Sequence, residues 1–353
     1  MTTNKRWKHR PTGSNWGDFG PDDQYGRMNL LTPQKVLQGL AEAREGLTFN
    51  LSLPLDFPGG NVLNPRRMPP VLRPTLRDGK PNMNYEMWCD DANCTDVVSD
   101  DLVIMHLQYS TQWDSLAHVG SMFDADGDGK PEPVYYNGFR AGIDVVGPSK
   151  AEGAGIFDFL KIPRESTSQA KALGIDKMSE RCVQGRAVMI DLHAHVGRQR
   201  VNIDYDMLMD IMKKDQVSVE QGDMVCLHTG FAEILLEMNK NPDGELLDRS
   251  CAVLEGRDPR LLQWITDSGL VALIADNYAV EAHPASAQTG ACAGLPIHEH
   301  CLFKLGIHLG EIWHLTPLAN WLRTNQRSRF LLTAPPLRLP GAIGSPATPI
   351  ATV

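Results

Sequence analysis

Short apolar runs recur along this chain, separated by stretches of helical periodicity. Residues 47–53 alternate as a strand does, and 185–195 form a strand that leaves the core with polar groups at its far end. Met224-Val-Cys-Leu-His228-Thr-Gly230 follows a Gln221-Gly-Asp223 turn and reads as another strand. Residues 270–275 are a buried strand ending at Asp276-Asn277, and Phe330-Leu-Leu-Thr is a strand stopped by prolines. Thr32-Pro33 places an N-cap before a proline at the first helical position. It predicts a helix through Val36, Leu37, Leu40 and Ala41 to Arg44, with Gly46 placed to end it. Helices also follow over 203–214, 259–267, most of 151–181, and 298–305, where Gly306 ends the helix before a short strand carrying Glu311. Thr316-Pro317 repeats the cap signal. With no internal repeat and no composition break, the pattern predicts one α/β domain over 1–353. Residues 1–30 are expected as an irregular N-terminal arm and 54–86, rich in Pro, Gly and Asn, as a second arm or lid.

Polar residues break this pattern at particular places. A strand over 102–108 would put His106 and Gln108 on one face. Directly behind it comes Gln108-Tyr-Ser-Thr111-Gln112-Trp113-Asp114-Ser-Leu-Ala-His118. Each of those polar groups needs a partner once buried, so the stretch reads as the floor of an active site. The plainer alternative is a hydrogen-bonded loop closing a barrel. Asp191, His193 and His195 alternate onto one strand face, where two histidines can share a metal or stand half-exposed at a strand end. Glu281 and His283 lie just beyond a buried strand, at the carboxyl end where α/β folds commonly form sites. The last cluster runs from His298-Glu299-His300 through His308 and Glu311 to His314. Asp124-Ala-Asp126-Gly-Asp128-Gly129 copies the first half of a calcium loop. Its twelfth position is Tyr135 rather than a bidentate Glu, which favours an exposed acidic turn.

Composition narrows the functions. The net charge of −9 and the scattered Lys and Arg argue against a nucleic-acid partner. No apolar run approaches the roughly 20 residues that span a bilayer. The basic N-terminus has no apolar stretch behind it, so neither a signal peptide nor a membrane partner is expected. Seven cysteines, several inside apolar segments as Cys226 is, read as free thiols, and the expected location is cytoplasmic. A nucleophile elbow, a P-loop and a dinucleotide fingerprint are all missing.

His118, Asp114, Glu311 and the nearby histidines are the residue types of a metal-assisted hydrolase. Carboxylate and imidazole hold a divalent ion that lowers the pKa of water toward about 7, and a separate imidazole moves the proton. Thr111-Gln112-Trp113-Asp114-Ser-Leu-Ala-His118 resembles the H-x-G-T-H-x-D-x-P-x-H signature of the cyclase superfamily, which includes the bacterial kynurenine formamidases and isatin hydrolase. Further matching pieces run nearly the length of the chain. They are Asn15-Trp-Gly-Asp-Phe-Gly-Pro-Asp-Asp-Gln-Tyr-Gly, Gly185-Arg-Ala-Val-Met-Ile-Asp191, Gly222-Asp-Met-Val-Cys-Leu-His-Thr-Gly230, Leu305-Gly-Ile-His-Leu-Gly-Glu311 and Gly344-Ser-Pro-Ala-Thr-Pro-Ile-Ala.

The resemblance implies a single α/β domain built round a twisted, barrel-like mixed sheet flanked by helices, assembled as a homodimer or homotetramer. It implies hydrolysis of a small amide, formamide, lactam or lactone with manganese or zinc. Asp114 then binds metal, His118 acts as acid/base, and Glu311 with His298 or His300 completes the metal site. Where the signature has two metal-binding histidines, this chain has Gln108 and Gln112. An amide oxygen is a poorer and harder ligand than imidazole, so zinc affinity should fall. The site can then hold a harder ion through Asp114 and Glu311, recruit His106, or work without metal as a lyase or ring-closing cyclase. A small-molecule-binding protein without catalysis is a further alternative. Trp113, Thr111, Tyr136 and Phe139 are the expected substrate contacts.

Overall fold

The computed structural model describes residues 6–150, 154–155 and 165–353. A curled, half-barrel sheet of nine strands forms its centre. In chain order these are β1 (Thr48–Asn50), β2 (Gln112–Asp114), β3 (Gln184–Asp191), β4 (Met224–His228), β5 (Ala272–Ala275), β6 (His308–Glu311), β7 (Arg329–Thr333), β8 (Gly344–Pro346) and β9 (Ile350–Thr352). Their spatial order is β1-β9-β7-β3-β4-β5-β6-β2-β8. β3 to β6 run parallel. Antiparallel pairs extend the sheet on both sides, through β7, β9 and β1 on one and through β2 and β8 on the other.

The parallel strands are covered on both faces, which is why they read as unbroken apolar runs. Successive residues point to opposite layers. Ile190, Leu227, Leu273 and Leu309 meet Leu208 and Ile211 of the helix Tyr205–Lys214, and Leu261 and Ile265 of the helix Pro259–Ser268. Met189, Cys226, Ile274 and Trp113 face the other layer, with Leu318 and Leu322 of the helix Thr316–Thr324. The helix starts are set by their caps. Asp204 accepts from the Met207 N–H at 2.9 Å, and Asp258 does the same for Arg260 ahead of Pro259. None of the described helices is long and apolar enough to cross a membrane.

Several local expectations change. The helix begun at Thr32 stops at Leu40, because the Glu45 and Gly46 N–H groups bond to the Val353 carbonyl at the sheet edge. Residues 102–108 are not a core strand. Asp101–Ile104 pairs with Val71–Pro74 in an exposed two-stranded ribbon, and the chain turns after it. β3 ends at Asp191, whose carboxylate caps a short helix Leu192–Val196 by accepting from the Ala194 N–H. Asp191, His193 and His195 therefore share no strand face: His193 packs edge-on against His228, and His195 pairs with Asp215. Of 151–181, residues 151–153 and 156–164 lie outside the described residues. The rest holds the two-residue strand Gln169–Ala170 and the short helix Ile175–Glu180. Thr316 opens its helix but caps nothing, since its hydroxyl faces the His228 ring at 3.1 Å. The Asp124–Gly129 loop is an acidic turn whose Asp124 carboxylate accepts from the backbone of Gly127, Asp128 and Gly129.

Candidate functional site

Strand alternation builds the site where β2 meets β6. Gln112 and Asp114 point to one side of β2, and the register sets Gln112 opposite Glu311 of β6. The third element is a short helix, Pro296–His298, which runs into a π-helical segment, Glu299–Leu305, closed by left-handed Gly306. It delivers His298 to the same place. One ligand atom each from Asp114, His298 and Glu311 lies within 4.8 Å of the others, and all three residues are buried.

The polar accounting at this point is incomplete. Gln112 Nε2 donates to Glu311 Oε2 at 3.2 Å, while Gln112 Oε1 is buried with no donor among the described residues. Asp114 Oδ2 is buried without one as well. His298 Nδ1 donates to Glu281 Oε1 at 2.8 Å, and His298 Nε2 lies 3.2 Å from Glu311 Oε1. Burial works against charge on the His298 ring, but the two carboxylates outweigh it and push its pKa up to about 10. Burial likewise opposes the Glu311 charge, and the His298 contact overcomes it, holding Glu311 below the usual carboxylate range. Asp114 goes the other way. Burial raises its pKa, and the nearby Glu311 adds to the rise. Two acceptor oxygens without donors, two carboxylates and an imidazole, all out of water, form a donor set that suits a divalent cation. Three oxygens and one nitrogen make a harder donor set than one built on imidazoles.

At the rim, His118 is half-buried, with Nε2 3.9 Å from Asp114 Oδ1. Gln108 Nε2 lies 2.9 Å from His118 Nδ1 and 3.3 Å from Asp114 Oδ1. The Gln108 side chain fits because residue 344 is glycine, where a Cβ would stand 2.6 Å from Gln108 Cγ. Arg67 reaches in from the arm and donates to the Gln108 carbonyl at 2.7 Å, and its charge acts on both Asp114 and Glu311.

Asp114, Gln112, Glu311, His298, His118 and Gln108 thus converge. The other expected residues do not. His300 sits on the far side of its helix, where Nε2 meets the Thr266 hydroxyl at 2.9 Å. Trp113 lies on the opposite face of β2 from Asp114, fully buried, donating to the Ala334 carbonyl and packed edge-on against Trp313. Thr111 is a staple, donating to the Ile312 carbonyl and accepting from the Leu53 N–H. Tyr136 is buried against Gly306, and Phe139 lies under the Arg6 guanidinium at 4.0 Å. His106 ties down the arm, its Nδ1 accepting from the Met68 N–H, and does not enter the site.

Three participants are given no role by the sequence pattern alone. Glu281 was marked only by its place after β5, yet its carboxylate also accepts from the Ile297 and His298 N–H groups. Arg67 lies in a stretch without periodicity. His308 lies buried beneath the site and meets the Asp114 carbonyl through Nδ1, with burial pulling its pKa down to about 4.

Comparison with known proteins places the chain in a family. The family model described as Cyclase matches residues 49–282, more than half of the chain. The chain belongs to the cyclase family. It is similar to a crystal structure of a novel cyclase, at 27% identity and a TM-score of 0.70, over 96% of this chain and 97% of that one. In fold it also resembles isatin hydrolase A from Labrenzia aggregata bound to benzyl benzoate. That match has 13% identity and a TM-score of 0.52, and it covers 91% of this chain and 98% of that one. An isatin hydrolase bound to the product analogue thioisatinate matches at 12% identity with a TM-score of 0.54, over 91% and 99% of the two chains. No curated protein matches the chain. The matched cyclase segment includes Asp114, His118 and Glu281 but stops short of His298 and Glu311.

Proposed function

We propose that this member of the cyclase family is a metal-dependent hydrolase of a small amide, formamide, lactam or lactone. One observation carries the reading: Asp114 Oδ2 and Gln112 Oε1 are buried acceptors with no donor among the described residues, beside Glu311 and His298. Leaving such groups unpaired costs about 1–3 kcal/mol each, which a cation would recover. Asp114, Glu311, the Gln112 oxygen and His298 Nε2 would hold it. When bound, a divalent ion in this place supplies a Lewis acid and lowers the pKa of water toward about 7.

The chain's own residues do the rest. Glu281 fixes the His298 ring through Nδ1, which leaves Nε2 turned inward. His118 addresses the substrate from the rim. A second reading, a metal-free lyase or ring-closing cyclase, draws on the His298–Glu311 contact, which closes the site by itself. Assembly into a dimer or tetramer belongs to the same proposal. It would cover the exposed Leu72 and Leu76 of the arm and Trp88 just after it, and light scattering on the purified chain checks it.

The deciding experiment is elemental analysis of the purified protein, together with a hydrolysis screen of lactams, formamides and lactones before and after chelation. About one manganese or zinc per chain and chelator-sensitive cleavage support the hydrolase. Turnover that survives complete metal removal favours the second reading.

A further inference from the structure

Gln108 occupies a place where the signature has a metal-binding histidine, yet its contacts are those of a donor. Its amide group meets Asp114 Oδ1 at 3.3 Å and His118 Nδ1 at 2.9 Å. A carboxylate oxygen can only accept, so the NH₂ end of the amide faces inward. Its second proton then points at His118 Nδ1, which must be the acceptor nitrogen of the ring. A neutral imidazole carries one proton, and that proton is therefore on Nε2. Nε2 stands 3.9 Å from Asp114 Oδ1, beyond hydrogen-bond range, so this N–H is kept for something that enters the site. The arrangement is braced from two sides, by Arg67 on the Gln108 carbonyl and by the missing Cβ of Gly344.

We infer that Gln108 is a positioning residue rather than a metal ligand, and that it holds His118 as a fixed Nε2–H donor to the acyl oxygen of the substrate. This rests on the hydrolase reading and gives His118 a different part from the acid/base role that the resemblance implies. As water adds to the carbonyl carbon, the C=O electron pair moves onto oxygen, and the Nε2–H bond to that oxygen strengthens. The pair returns to re-form the carbonyl as the bond to the leaving nitrogen or oxygen breaks. The leaving atom takes its proton from water, and the ring keeps its own. Such a donor stabilises the charge that develops and needs no change in protonation.

The test combines a spectrum and a rescue. In metal-free protein labelled with ¹⁵N-histidine, long-range ¹H–¹⁵N correlation should show His118 protonated at Nε2 alone. Gln108→Glu, which offers only an acceptor, should move the proton to Nδ1 or add one there. Gln108→Met should lose the preference yet still bind manganese. His118→Ala should lower kcat about 10²–10³-fold. His118→Gln, whose amide can donate but cannot act as an acid or base, should restore at least about tenfold of that loss. An Nδ1–H tautomer in the wild type, a Gln108→Met protein that no longer binds metal, or His118→Gln no better than His118→Ala would each overturn the inference. A chain that binds no metal and cleaves nothing sinks the hydrolase reading alone, because the spectrum still decides what Gln108 does.

Discussion

Asp114 and Asp223 are both aspartates with no exposed surface, and they are treated in opposite ways. Asp223 lies at the start of β4. Its Oδ1 receives Lys35 Nζ at 2.9 Å and Arg186 Nε at 2.8 Å, and its Oδ2 receives Arg186 Nη2 at 3.0 Å and the Glu220 N–H at 2.8 Å. Among the described residues, Asp114 has one amide donor on Oδ1 and none on Oδ2, with Glu311 close by. A satisfied buried carboxylate accounts for its own presence as part of the structure. An unsatisfied one destabilises the fold and persists where something outside the polypeptide completes it. The difference separates structure from function more sharply than burial or residue type does.

The two aspartates should therefore fail differently. Asp114→Asn should abolish metal binding and turnover while leaving the melting temperature of the metal-free protein unchanged or raised. Elemental analysis, kinetics and calorimetry read the three quantities, and full activity with retained metal would place the site elsewhere. Asp223→Asn should do the reverse. It leaves Arg186 and Lys35 short of their buried partner, a loss of about 3–5 kcal/mol in denaturant unfolding, partly offset by Glu220. The kcat of its folded fraction should not change. An Asp223→Asn protein as stable as the wild type would refute the comparison.

Smaller, but aimed at the same contrast, is the effect of the ion itself. Manganese at about a hundred times its dissociation constant should stabilise the wild type by about 2.7 kcal/mol. A thermal shift that rises with metal concentration reads this, and it should vanish in Asp114→Asn and persist in Asp223→Asn. Equal shifts in both variants would mean that the ion binds away from β2.

The sequence makes one side of this contrast legible and hides the other. Runs such as Ala187-Val-Met-Ile190 and Met224-Val-Cys-Leu227 announce strands because both faces are covered, and Asp114, Gln112, His118 and Glu311 stand out as chemistry. Periodicity is blind to direction within a polar segment. It cannot say that Trp113 turns into the core while Asp114 turns out of it until β2 is known to be a strand paired with β6. Nor can it distinguish His298 from His300, which the helix sends to opposite sides. Arg67 and Glu281 join the site through contacts across more than 10 residues of sequence, which no local pattern records. The apparent strand over 102–108 has the right alternation, yet it forms an exposed ribbon, because only the partner strand decides which surface is buried.

A third buried aspartate sharpens the comparison through pH. Burial would raise the Asp191 pKa, but His228 at 2.7 Å and the Arg323 guanidinium outweigh it and pull it down to about 2. Its folded-state value lies below the roughly 3.9 of an unfolded chain. Asp191 therefore adds about 2 kcal/mol that is fully present above about pH 5 and lost as pH falls toward 2. Asp114 has the opposite sign. Its folded pKa is raised, so its ionisation costs stability at neutral pH, and that cost is relieved as pH falls. Unfolding free energies of the metal-free protein, measured from pH 7 downward, should thus show Asp191→Asn destabilised at neutral pH, with the deficit closing in acid. Asp114→Asn should begin level or ahead and lose that advantage over the same range. Two parallel curves would mean that both carboxylates are equally well satisfied, and the contrast between the site and the scaffold would fall with them.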